Sequence, residues 1–237
     1  MASNPPGECC RTRNFHEGTP IGTHKTILGL NTYQVGAEYG NDRIIVILVD
    51  VHGNKFNNTL LLADELSKAK YQVLIPDILS NDPVDGQDFA TWLPKHGPEI
   101  TAPIVDAFLK AVNDELKPKF LAGIGYCFGA KYVIQNLSSK GHLSAGAVAH
   151  PSFVTIEEVS AIKKPILISA AETDSIFTVE LRHQSEAELI KIGARYQLDL
   201  FSGVEHGYSV RGDISNPVVK YAKEKTLDDQ VRWFNQF

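Results

Sequence analysis

Residues 123–132 read GIGYCFGAKY. An apolar run precedes Cys127, a helix-like run follows it, and Gly125 and Gly129 stand two residues away on either side. A buried core cysteine beside packing glycines fits this pattern. So does a nucleophile on a sharp strand-to-helix turn, where neighbouring backbone passes so close to both flanking positions that side chains there would clash. Such a turn lifts the nucleophile clear of a sheet. It points the backbone N–H of the next residue, Phe128, toward a developing oxyanion. It also places the sulfur at a helix N-terminus, whose partial positive charge favours a thiolate. Which reading holds depends on what surrounds the motif.

Outward from residue 123 the chain alternates strands and helices. RIIVILVD (43–50) is a continuous β-branched run, the pattern of a strand buried on both faces. NNTLLLADELSKAK after it has helical spacing. YQVLIPDIL, KPKFLAGIGY, LSAGAVAH, KPILISAAE and ARYQLDLF read as further strands. The segments between them read as helices, with a break near Pro94–Pro98, and an amphipathic helix closes the chain. KTILGLNTYQVG predicts a small antiparallel hairpin ahead of the first long strand. This order predicts an α/β fold, a mostly parallel central sheet with helices on both faces. The 1–24 stretch is expected to form an irregular arm, and 25–237 a single domain.

The length of 237 residues fits one such domain. At 43% hydrophobic residues the chain is ordinary globular protein, and a net charge of -5 without a basic patch gives no footprint for nucleic acid. No apolar run is long enough to span a membrane and the first twenty residues hold no secretory pattern, so a cytoplasmic protein is expected. The three cysteines, Cys9, Cys10 and Cys127, make a poor disulfide framework and read as reduced thiols.

Ligands on such sheets sit beyond the carboxyl ends of the strands. Cys127 falls at one strand end, and context therefore favours the nucleophile. A thiol nucleophile needs a base, and the base an orienting group. Downstream, ILISAAETDSIF ends a strand with Glu172 and Asp174, and LDLFSGVEHGYSVRGD ends another with His206. Asp174, in the loop past its strand, is the better acid, with Glu172 as the fallback.

The segments GYCFGAKY, AAETDSIF and SGVEHGYSVRGD, in this order and spacing, resemble the dienelactone hydrolase family of α/β-hydrolases. The N-terminal cysteine pair and VDVHGNKFNN resemble its fungal branch. The resemblance implies a triad of Cys127, His206 and Asp174. It implies hydrolysis of a small ester or lactone through an acyl-thioester, with no cofactor. It implies an oxyanion hole from the backbone N–H groups of Phe128 and Val51. It implies that Asp50 stands where bacterial members carry a thiol-gating Glu, one methylene shorter here. Arginines in the family hold the substrate carboxylate, and Arg211 lies near one such place.

His52, Trp92, His96, His150, Tyr208 and Arg211 lie at strand ends or in the loops beyond, and are expected to line a mixed aromatic and polar pocket. Cys9 and Cys10 lack the CxxC spacing that would support a metal site with His16 or His24, so no metal is expected and the arm is read as packing on the domain. The protein is expected to be a monomer or homodimer. Two other readings stand beside the hydrolase: a non-catalytic ligand-binding protein of the same fold, and a peroxide-sensing thiol at Cys127.

Overall fold

The computed structural model describes residues 1–237. Its centre is the β-branched run: β3 (Arg43–Leu48) is buried along almost its whole length, as a strand covered on both faces must be. Before it, β1 (Thr23–Ile27) and β2 (Leu30–Val35) form the expected antiparallel hairpin, turning at Leu28 and Gly29. After β3 come α1 (Asn57–Ser67), β4 (Gln72–Pro76), a short α2 (Phe89–Trp92) and α3 (Pro98–Ala111). The second half runs β5 (Phe120–Tyr126), α4 (Phe128–Gln135), β6 (Ala145–Ala149), α5 (Ile156–Ser160), β7 (Ile166–Thr173), α6 (Val179–Lys191), β8 (Tyr196–Glu205), the single turn α7 (Tyr208–Arg211) and α8 (Pro217–Phe234).

The eight strands form one sheet in the order β1-β2-β4-β3-β5-β6-β7-β8. Only the pairs β1/β2 and β2/β4 are antiparallel; from β4 to β8 every neighbour is parallel. The mostly parallel α/β sheet expected from the sequence is thus present. One large core of buried apolar side chains runs through it. No helix is long and apolar enough to cross a membrane.

The order of strands also locates the site. From β3 the chain moves outward to β4, then returns across β3 to β5 and continues in the opposite direction. The crevice between the carboxyl ends of β3 and β5 is therefore the switch point at which such sheets open a binding site. Val51 lies just past one of these ends and Cys127 directly past the other.

Residues 1–22 carry no strand, only one short turn at Glu8–Cys10. They are nevertheless fastened. Asn58 accepts from the His16 N–H at 2.9 Å and donates to the carbonyls of Asn14 (2.8 Å) and Val210 (2.9 Å). Ala2 and Ser3 N–H groups reach the carbonyl of Val154. This segment thereby lies across the carboxyl end of the sheet.

Candidate active site

Cys127 has φ 49° and ψ -108°, a left-handed backbone that costs on the order of 1–3 kcal/mol for a residue with a side chain. The flanking glycines are required by contact. A Cβ on Gly129 would sit 2.0 Å from the carbonyl oxygen of Leu48, and one on Gly125 would sit 2.5 Å from the Cα of Ala130. The strand, turn and helix foreseen around the cysteine are all present, with α4 beginning at Phe128.

The three distant side chains converge. His206 Nδ1 donates to both oxygens of Asp174, at 2.9 and 2.8 Å, and its Nε2 lies 3.2 Å from Cys127 Sγ. All three residues are buried. Asp174 is itself held by the N–H groups of Ile176 and Phe177. Glu172, the fallback, is exposed and accepts from Gly203 N–H instead.

Burial opposes charge on the Cys127 thiol, but the hydrogen bond from Cys10 and the positive charge of His206 outweigh it and hold its pKa well below the ordinary value. Burial likewise opposes the His206 imidazolium. The Cys127 charge and the Asp174 carboxylate raise it to about 9. The Cys10 thiol is raised, first by its hydrogen bond to Cys127, so it is the protonated partner of the two sulfurs.

That second sulfur was not legible in the sequence as part of the site. Cys10 Sγ lies 3.5 Å from Cys127 Sγ, fully buried, and Ser152 Oγ lies 3.7 Å from the same atom. Cys127 has no exposed surface. The histidines weighed as companions of the arm cysteines are engaged elsewhere: His16 Nε2 with the Gly212 carbonyl and His24 Nδ1 with Asn31.

The other expected site residues divide. Asp50 makes no hydrogen bond to the thiol; its carboxylate accepts from His52 N–H (2.9 Å) and pairs with Arg211 Nη1 (3.1 Å). Arg211 also donates from Nε to the Thr12 carbonyl, while its Nη2 is buried without a partner. His52 is taken up by Asp85 and by the Cys10 carbonyl. Trp92 and His96 stack on one another at 4.3 Å and both bond Asp82, so they brace the segment behind Phe128. His150 stands against His206, its Nε2 bonded to Ser209 Oγ at 2.7 Å. Tyr208 and Arg211 line, with His206, a cavity of about 570 Å³ whose further wall includes Cys9, Thr12 and Asn14 from the arm.

The sequence profile of the dienelactone hydrolase family matches residues 30–237. The chain belongs to this family. Among curated relatives, the hydrolase pyvD of Aspergillus violaceofuscus is 37% identical over 100% of this chain and 99% of its own length. Dienlactone hydrolase 1 of Gibberella moniliformis is 31% identical over 99% and 95%. A Klebsiella pneumoniae protein described as a dienelactone hydrolase superposes with a TM-score of 0.78 at 15% identity, over 92% of this chain and 99% of that one. At that identity the likeness speaks for the α/β-hydrolase fold. Membership in the dienelactone hydrolase family supports a hydrolase acting on esters or lactones.

Proposed function

We propose that the chain cleaves small esters or lactones with Cys127 as nucleophile, His206 as base and Asp174 as the group that orients it. The observation that carries this reading is the His206 ring, bonded through one nitrogen to Asp174 and 3.2 Å from Cys127 Sγ through the other. The thiolate attacks the acyl carbon, and the carbonyl oxygen becomes an oxyanion. The backbone N–H groups of Phe128 and Val51, at the carboxyl ends of neighbouring strands, are its donors in this reading, each worth roughly 3 kcal/mol in comparable sites. His206 gives its proton to the leaving alkoxide. It then activates water against the acyl-thioester, and Cys127 leaves as thiolate.

Substrate reaches the sulfur by way of the cavity beside His206, with the arm residues around Cys10 drawing aside. A carboxylate-bearing substrate would pair with the buried, unpartnered Nη2 of Arg211 once the arm, whose Thr12 carbonyl Arg211 also bonds, draws aside. A panel of small esters, lactones and thioesters, assayed on the parent and on Cys127→Ala, tests the proposal. Turnover is expected only in the parent, with an acyl adduct on Cys127 visible by mass. Equal turnover in the two proteins would refute it.

One observation favours a second reading, the peroxide-responsive thiol: the 3.5 Å between Cys10 and Cys127 sulfurs. The Cys127 thiolate would take oxygen from a peroxide to give a sulfenic acid, and Cys10 would displace water to form a disulfide. The mass of peroxide-treated protein decides it: a loss of two hydrogens supports the reading, and an unchanged or merely oxygenated mass removes it.

A further inference from the structure

We propose that Cys10, Cys127 and His206 together form a binding site for a thiophilic divalent cation of the zinc class. Cation binding stands apart from the catalytic reading; the inhibition that would accompany it rests on that reading. The two sulfurs and the imidazole Nε2 all lie within 4.8 Å of one another, and all three residues are buried. A tetrahedral zinc, with Zn–S near 2.3 Å and Zn–N near 2.0–2.1 Å, sets sulfur–sulfur edges at about 3.8 Å and sulfur–nitrogen edges at about 3.6 Å. The Cys10–Cys127 and Cys127–His206 separations are 3.5 and 3.2 Å, so an ion would open these two edges by about 0.3–0.4 Å, and the Cys10–His206 edge is within 4.8 Å. A disulfide would instead need the sulfurs to close to about 2.05 Å.

The surroundings complete the site. His206 donates through Nδ1 to Asp174, the carboxylate–histidine arrangement that fixes a ligating imidazole and raises its basicity. One more histidine stands beside it, outside the cluster of three donors, and would have to shift inward to become a fourth ligand. The ring of His150 lies 5.0 Å from that of His206, centroid to centroid; its Nε2 is bonded to Ser209, and its Nδ1 is buried without a partner. Two thiolates neutralise a dication, so the loaded cluster buries no net charge. Loading releases two protons, one from the Cys10 thiol and one from the Cys127–His206 pair. Sulfur and imidazole donors select zinc, cadmium or copper(I) over magnesium and calcium. Cys10 belongs to the arm, so the ion would also pin the arm over Cys127.

The test uses the full chain kept reduced by a phosphine. Equilibrium dialysis against Zn²⁺ and the thiolate-to-metal charge-transfer absorption of added Cd²⁺ should both report one ion per chain. Cys10→Ser and Cys127→Ser should each lower the affinity by on the order of 100-fold, and Asp174→Asn by roughly 10- to 100-fold. Affinity unchanged by Cys10→Ser would overturn the proposal, as would a band lost in Cys9→Ser but kept in Cys10→Ser. A measurement on the parent alone guards against variants that fail to fold. One equivalent of Zn²⁺ should protect Cys10 and Cys127 from iodoacetamide while Cys9 still reacts; equal labelling of all three overturns the site. Zinc bound by a protein whose ester turnover ignores Cys127→Ala would sink the hydrolase reading alone. Turnover that needs Cys127 in a protein that binds no zinc would sink this one alone.

Discussion

Arg211 and Asp50 meet as an ion pair at 3.1 Å with both side chains almost wholly withdrawn from solvent. The pair joins the end of β3 to the turn after β8, and Arg211 Nε carries the link on to the Thr12 carbonyl in the arm. Removing one charge leaves the other buried and uncompensated, which typically costs about 3–5 kcal/mol. Asp50→Asn and Arg211→Met should each lower the unfolding free energy read from urea melts by that order. The double variant should recover much of the loss. A double variant as unstable as the sum of the singles would show that the two side chains act separately.

Cys127→Ala should bring hydrolysis of an activated aryl ester down to the rate of the buffer. It should shift the thermal midpoint by no more than about 4 °C, since only one small atom is removed. Asp174→Asn should keep the fold and lower turnover by about 10²–10⁴-fold, because the imidazole loses its orienting partner. Steady-state rates beside a thermal melt check both.

Gly129→Ala forces a Cβ to within 2.0 Å of the Leu48 carbonyl, and no flexible side chain is there to give way. Backbone must move, at a cost of about 3 kcal/mol or more. The variant should unfold at markedly lower denaturant than parent. Gly86→Ala serves as the contrast: its Cβ meets nothing within 4 Å, so only its φ of 75° opposes the change and the loss should be the smaller.

Asn58→Ala removes two hydrogen bonds that tie the arm to the domain, to His16 N–H and the Asn14 carbonyl, and a third within the domain to the Val210 carbonyl, each worth about 1 kcal/mol. Trypsin should then cut after Arg11 and Arg13 faster than in the parent, while cleavage of the sheet region stays unchanged. Identical arm cleavage in the two proteins would place the anchorage elsewhere, at the contacts of Ala2 and Ser3 with Val154.

The sheet was legible because its strands are local objects. A run such as that of β3 is apolar throughout because both its faces are covered, and five neighbouring residues suffice to read it. The glycine frame at Cys127 was legible for the same reason. The approach of Gly129 to Leu48 leaves its mark in the residue type itself. The chain order of cysteine, acid and histidine supplied the three residues that converge. What the sequence could not supply were contacts between far segments that follow no period. Cys10 reaches Cys127 across 117 positions and Asp50 reaches Arg211 across 161. His52, Trp92 and His96 occupy suitable strand-end positions, yet hydrogen bonds to Asp85 and Asp82 and a mutual stack draw them into bracing roles. A strand-end location states where a side chain starts, not which neighbour satisfies it.

The absence of any exposed surface at Cys127 turns its chemistry into a clock. An electrophile added at rising concentration should label the sulfur ever faster until a plateau, and the plateau rate is then the frequency with which the residues packed over it, Cys10 among them, move aside. Any reagent that reaches this sulfur from outside inherits the same ceiling, however reactive it is.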